Sequence, residues 1–516
     1  MLVEVLVVVV VEVVEVVEIV VEVVVVGVFV VDVAGSVDVV AVVGASEVAV
    51  SSARGGSAPG GAAEEESGPV TPHPATTSIT NVPEAAARRA RIDRPVATSR
   101  WYPRRSSQHF HSVRALRTAG VPCSRGLAGK GRIASGVMSW ELADEHEMLR
   151  KTVREFAEGE IAPYAADWDR DHYFPTEVIK AMGELGLFGI VFPEKWGGAG
   201  GDFVSLCVAI EELGRVDQSM GITLSAGVGL GANPIFRFGT DEQREQWLPD
   251  LVSGVKLGAF GLTEPDGGSD AGATRSRAEL HGDEWVLNGS KAFITNCGTS
   301  MTSVVSVTAR TDDGISAFIV PAGTPGMIIE PSYDKLGWHA SDTHGITFDN
   351  CRIPVHNQLG QLGEGFRNFL AILDDGRITI SALALGCARA CLEHSVEYAQ
   401  HRDAFGGPIG RFQGLAFQLS DLAVQVENAH NLTYKAAWLK DQGRPIGQAA
   451  AMAKLYSTEA AMDATRLATQ VFGGMGFMEE NSIVRFYRDA KILEVGEGTS
   501  EIQRLVIARN LGLPVS

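Results

Sequence analysis

The chain has 516 residues, a formal net charge of −19 and 45% hydrophobic residues. So acidic a balance argues against wholesale nucleic-acid binding, which needs a basic face. The charge is uneven: residues 1–137 carry 13 basic and 13 acidic side chains, so the whole deficit falls in residues 138–516, with 31 basic and 50 acidic.

In chain order, the first 50 residues contain 28 valines, and no lysine or arginine precedes Arg54. Glu4, Glu12, Glu15, Glu18 and Glu22 interrupt the run. The longest uncharged stretch, 23–31, falls short of the roughly 17–25 apolar residues of a membrane helix, so stable membrane insertion is not expected. A secretory signal would need a basic leading segment, which is missing. Residues 51–83 are rich in Gly, Ala, Ser, Pro and Thr and read as linker. Residues 88–132 are Arg-rich with a single acid, Asp93, in the manner of a transit peptide or basic tail. An ordinary helical pattern begins only at Met138. Residues 1–137 are therefore expected to be a low-complexity, disordered extension, translated from too early a start rather than native. Cys123, Cys207, Cys297, Cys351, Cys387 and Cys391 form no C-x-x-C pair and no zinc spacing. They read as reduced thiols of a cytosolic protein, with no metal site; the location expected is the bacterial-type cytoplasm rather than the mitochondrial matrix.

Three segments follow. Residues 138–256 are helical by period, with Met148, Val153, Phe156 and Ile161 spaced near 3.6. Residues 257–365 switch to short β-type runs: 285–289 as a strand entering a turn, then 291–296, 301–309, 315–321, 327–331 and 345–348. That rhythm suggests a small β-barrel or sandwich. Residues 366–516 are helical again, with helices over 366–401, 412–442, 446–471 and 501–511. The fold class is α+β, in the order α, β, α.

Four motifs carry chemistry. Gly261-Leu262-Thr263-Glu264-Pro265-Asp266-Gly267-Gly268-Ser269-Asp270 is a Gly-rich turn after a strand, offering N–H groups and small hydroxyls. Lys291-Ala292-Phe293-Ile294-Thr295-Asn296 alternates along a strand, so Phe293 and Thr295 are expected on one face, suited to a planar ring and one hydrogen bond. Gln470-Val471-Phe472-Gly473-Gly474-Met475-Gly476-Phe477, followed by Glu480, Arg485 and Asp489, lets bare backbone approach a ligand. Glu497-Gly498-Thr499-Ser500-Glu501-Ile502-Gln503-Arg504 places Glu497 before a helix that a Ser500/Gln503 capping box would open. The helix dipole there favours the anion, burial opposes it, and a carboxylate so balanced can abstract a proton.

In this order and at these distances, the four motifs resemble the acyl-CoA dehydrogenase family over essentially all of 138–516. The resemblance implies an N-terminal helical domain, a middle β domain and a C-terminal four-helix bundle. It implies FAD-dependent α,β-dehydrogenation of an acyl-CoA to the trans-2-enoyl-CoA, with the pro-R α-proton going to Glu497 and hydride to FAD N5. The oxyanion donors would be the flavin ribityl 2′-hydroxyl and the Glu497 N–H. Some relatives carry the base on a middle helix just before an arginine. Here that position is Gly376, before Arg377, which favours Glu497 and is expected to leave room for substrate. The flavin contacts implied are Phe260, Leu262, Thr263, Ser269, Phe293, Thr295, Thr499 and Glu501. Arg402, Phe405, Gln413, Gln470, Gly473 and Gly474 would reach the FAD of a neighbouring subunit. Ser269, Asp374, Arg377 and Gly498 would meet the substrate. Electron-transfer flavoprotein as reoxidant and a homotetramer built as a dimer of dimers are implied as partners. The alternatives are an acyl-CoA oxidase, a nitroalkane oxidase relative, which would carry Asp at position 497, and a DNA-binding alkylation-response flavoprotein, which needs a basic C-terminal region.

Overall fold

The computed structural model describes residues 26–31, 37–42 and 142–515. In the leading segment, β1 (Val26–Val31) and β2 (Val37–Val42) pair antiparallel, Val26 opposite Val42. The remainder of the expectation for residues 1–137, and Cys123, lie outside the described residues.

Seven helices come first: α1 (Asp144–Phe156), α2 (Ala165–Asp171), α3 (Thr176–Glu184), α4 (Phe203–Gly214), α5 (Gln218–Ser225), α6 (Asn233–Phe238) and α7 (Asp241–Val252). Their starts are locally encoded. Asp202 accepts from the Ser205 N–H at 2.8 Å to open α4. Thr240 and Gln243 form a reciprocal capping box on α7, at 3.2 and 3.0 Å. Between α5 and α6 the chain runs as a π-helical stretch, Ala226–Ala232.

Eight strands follow: β3 (Leu257–Gly261), β4 (Arg277–His281), β5 (Glu284–Thr295), β6 (Thr302–Thr311), β7 (Gly314–Pro321), β8 (Met327–Ser332), β9 (Thr343–Pro354) and β10 (Gln358–Leu359). They form one connected sheet in the order β10-β7-β6-β4-β5-β9-β8, with β3 parallel to β6. Val305, Val307, Phe318, Val320, Ile346 and Ile353 build its core. Two runs expected to be separate, 285–289 and 291–296, are one strand. Gly289 is not a turn but an irregularity within β5, at φ 141°, where a Cβ would fall 2.4 Å from Ser276 Oγ.

The last part holds α8 (Gly365–His401), α9 (Gln413–Asp441), α10 (Gly447–Phe472), α11 (Ser482–Leu493) and α12 (Ser500–Asn510). α8 is the central helix, buried on every side from Asp375 to Ala388. Close approach is written in small residues: a Cβ on Gly386 would meet the Glu211 carbonyl of α4 at 2.3 Å, and α10 buries Ala450, Ala453, Ala461, Ala464 and Ala468. α11 lies inside the segment taken as the third motif, so the expectation of four helices over 366–516 missed one. Glu211 and Glu212 of α4 are fully buried and neutralised by Arg150 and Arg154 of α1 and Arg389 of α8, a network that binds three helices together. The five described cysteines are buried and form no disulfide, and no described helix is long and apolar enough to cross a membrane.

Candidate functional site

The turn from α11 into α12 carries Glu497. The cap of α12 is Thr499, not Ser500: Thr499 Oγ1 accepts from the Ile502 N–H at 3.3 Å. Ser500 is buried with its hydroxyl unpartnered, so the expected Ser500/Gln503 box does not form. Gln503 instead turns its amide back to the Gly498 carbonyl at 2.8 Å. Glu497 (φ 53°) and Gly498 (φ 97°) both lie in the left-handed region. For a non-glycine residue such as Glu497 that conformation costs of order 1–3 kcal/mol and persists only where its surroundings impose it.

The strained turn aims the carboxylate at α8. Glu497 Oε2 is shut off from solvent and has no hydrogen-bond partner. It sits over Gly376, where a Cβ would fall 1.7 Å from it. Gly376 therefore makes room for the glutamate itself rather than for substrate. Burial pushes the Glu497 carboxyl up to about 7, opposed by Lys454 and Arg377 and aided by Asp375. The Glu497 N–H donates to no group among the described residues.

Around it α8 supplies charge and a wall. Arg377 is buried and bonds Asp374 one turn back. The π-helical stretch opposite is pinned to α8 at both ends. Ser225 Oγ donates to Thr379 Oγ1 at 2.7 Å, and Asn233 Nδ2 to Asp375 Oδ2 at 3.1 Å. Asp375 also holds Arg237 of α6 and Lys440 of α9.

A second region lies at β3 and β5. Lys291, 1% exposed, donates to Glu264 Oε1 at 2.8 Å and to the Leu262 carbonyl at 3.3 Å. Glu264 in turn accepts the N–H groups of Arg275 (2.6 Å) and Ser276 (3.1 Å), stapling both ends of the Gly-rich turn. Phe260 and Leu262 are buried, Phe260 stacked on Phe369 at 4.1 Å, so their side chains serve the core and only their backbone can meet a ligand. Phe293 is 66% exposed at φ 60°, within a register shift of β5. That shift breaks the strict alternation expected to pair it with Thr295. Thr263 and Thr295 are half-buried, and Ser269 is exposed.

A third region gathers at one end of the helices. Tyr398 stacks on Phe472 at 4.2 Å, bringing the α8–α9 connection to the C-terminus of α10. Arg402, Phe405, Gln413, Gln470, Gly473 and Gly474 lie there. The Arg402 guanidinium is unpaired among the described residues. Gly473 and Gly474 face open space. Phe405 is 89% exposed. Among the described residues no hydrogen bond or ring contact links this region to Phe293 and Thr295. An exposed aromatic, a free guanidinium and glycine backbone that no side chain covers together suit FAD, whose ring wants a flat face and whose diphosphate wants cations and close approach of the backbone.

Lys454 and the Glu264–Lys291 pair were missed in the sequence reading. The signal for Lys454 is its position on the stripe of buried alanines along α10.

Three family models cover this part of the chain: the acyl-CoA dehydrogenase N-terminal domain over residues 143–255, the middle domain over 259–351 and the C-terminal domain over 363–512. The mitochondrial short-chain specific acyl-CoA dehydrogenase of Mus musculus is 46% identical over 396 residues, 74% of this chain and 96% of that protein. The structure of butyryl-CoA dehydrogenase from Megasphaera elsdenii is 43% identical with a TM-score of 0.71, covering 72% of this chain and all of that one. A glutaryl-CoA dehydrogenase from Mycobacterium smegmatis in complex with FADH2 is 34% identical with a TM-score of 0.69, over 72% of this chain and 95% of that one.

Proposed function

The chain belongs to the acyl-CoA dehydrogenase family, and on that premise we propose that it dehydrogenates short acyl-CoA thioesters with Glu497 as the base. The observation that carries this reading is the Glu497 carboxylate: held by a strained turn, unpartnered, and raised to about 7 by burial. An α-C–H beside a thioester is a weak acid, and a general base serves it best when its pKa lies near the working pH. Glu497 meets that condition, and its free N–H is a donor for the thioester oxygen as charge develops there. Asp374 and Arg377, which flank Gly376 on α8, present paired charge to the CoA portion, with Gly498 beside the acyl group and Ser269 from the Gly-rich turn.

FAD is the cofactor, and when bound it supplies the acceptor for the hydride leaving the β-carbon. Phe293, Thr295 and the backbone of 260–263 would hold its ring, with Ser269, Thr499 and Glu501 alongside. The separation of Arg402, Phe405, Gln413, Gln470, Gly473 and Gly474 from that face within one chain supports a flavin shared between subunits, hence an obligate oligomer, a homotetramer as a dimer of dimers. Electron-transfer flavoprotein is proposed as the reoxidant and the bacterial-type cytoplasm as the location. The short-chain preference rests on the short-chain and butyryl-specific relatives.

The test is anaerobic bleaching of the purified flavoprotein by butyryl-, octanoyl- and palmitoyl-CoA. Butyryl-CoA is expected to bleach fastest. Bleaching by none of them overturns the dehydrogenase reading, and fastest bleaching by palmitoyl-CoA overturns the short-chain one.

A further inference from the structure

We propose that Lys454 is a positioning residue for Glu497: its ammonium clamps the Gly498 carbonyl and so fixes the left-handed turn that aims the carboxylate over Gly376. This rests on the reading of Glu497 as the base.

Lys454 is 0% exposed in the middle of α10. Its neighbours on the buried stripe are Ala450, Ala451, Ser457, Thr458 and Ala461. Lysine is almost never fully buried without a paired charge. Yet Lys454 makes no salt bridge among the described residues; its Nζ donates at 2.8 Å to the Gly498 carbonyl. That carbonyl receives Gln503 Nε2 as well, also at 2.8 Å. The two donors come from different helices, α10 and α12, and converge on the Gly498–Thr499 peptide, one residue beyond Glu497. A methionine would fill the same stripe without burying a charge, so the core has no use for the ammonium and the turn does.

The charge has a second effect. The groups acting on Glu497 are Lys454 from α10, and Arg377 and Asp375 from α8. Asp375 is already paired with Arg237 of α6 and Lys440 of α9. Lys454 in turn faces Glu497, Glu494 at the end of α11, Arg377, and Glu501 of α12. Lys454 and Arg377 therefore oppose the rise that burial imposes on the Glu497 carboxyl. Lys454 itself is lowered to about 8 by burial and held up chiefly by Glu497, so the two support each other's charged forms.

The experiment compares Lys454→Met, Lys454→Gln and Lys454→Arg holoenzymes with the parent. One readout is the pH midpoint of the Glu497 carboxyl, assigned by infrared difference against Glu497→Gln. The other is the pH profile of anaerobic flavin reduction by butyryl-CoA. Removing the ammonium in Lys454→Met or Lys454→Gln is expected to raise the midpoint by about one unit. Reduction near neutral pH should then slow at least about fivefold, and alkaline pH should restore only the part due to titration, leaving a pH-independent loss from the unclamped turn. Lys454→Arg should restore most of the parent profile. An unchanged rate in Lys454→Met and Lys454→Gln overturns the proposal, as does a loss that Lys454→Arg leaves unrecovered. If Glu497→Gln itself reduces flavin at the parent rate, it is the base assignment that fails, a result distinguishable from either of these.

Discussion

Gly376→Ala is a one-methyl test of where the base sits. In a helix interior that substitution ordinarily stabilises, by about 0.5–1 kcal/mol. Here the added Cβ would lie 1.7 Å from Glu497 Oε2, whereas ordinary contact begins near 3.4 Å. Either the carboxylate withdraws by about 1.5 Å or α8 and the turn separate by a similar distance. A displacement near 1 Å at a reacting group can cost roughly 100-fold in rate, so flavin reduction by butyryl-CoA should slow by about that factor or more. The assay is anaerobic stopped-flow bleaching at saturating substrate, with flavin content and thermal midpoint as controls. The thermal midpoint should fall rather than rise, the reverse of the helical preference. A Gly376→Ala protein that reduces its flavin within a few-fold of the parent would refute the placement of the carboxylate.

The same geometry predicts relocation. Because a side chain at 376 projects onto the spot that Oε2 occupies, Glu497→Gly should be inactive in flavin reduction, and the double variant Gly376→Glu/Glu497→Gly should regain part of the rate; equal inactivity of both would show that position 376 cannot present a base. Stability should carry the mark of the buried acid. A carboxyl raised from 4.5 to about 7 favours folding below its unfolded value and loses that contribution as pH rises through about 7. Glu497→Gln should therefore gain up to about 3 kcal/mol on the parent above pH ~7 and nothing below pH ~4, measured by denaturant unfolding at several pH values; an advantage in the opposite window contradicts the burial argument. Lys291→Met leaves Glu264 buried with only N–H partners, a loss of the order of 3–5 kcal/mol. The Gly-rich turn should loosen and FAD binding weaken at least about tenfold by fluorescence titration, and unchanged affinity would remove that pair from the flavin site.

Much of this was legible in the chain because it rests on local signals. The helical periods over 366–401, 412–442 and 446–471, the switch to short β-type runs after 257 and the Glu497-Gly498 turn are all short-range features. What escaped is tertiary. Thr499 and Ser500 are equally good caps on paper, and only the burial of Ser500 decides between them. Gly289 reads as a turn because glycine usually is one, whereas packing against Ser276 makes it an irregularity within a strand. α11 follows the Gly-rich run 470–477 and was not expected as a helix, although Ile483, Phe486, Ala490 and Leu493 mark its buried face. The bond from Lys454 to the Gly498 carbonyl joins residues 44 positions apart, which no local pattern encodes. Gly376 reads as room for substrate beside Arg377, and that room belongs to a residue 121 positions further on.

The most direct test of the central claim is rapid-mixing flavin reduction by butyryl-CoA in the parent and in Glu497→Gln, each with its FAD bound and its fold checked. The account predicts that Glu497→Gln retains flavin and binds substrate but loses nearly all reduction. Reduction by Glu497→Gln at a rate near the parent's would place the base elsewhere and contradict the account.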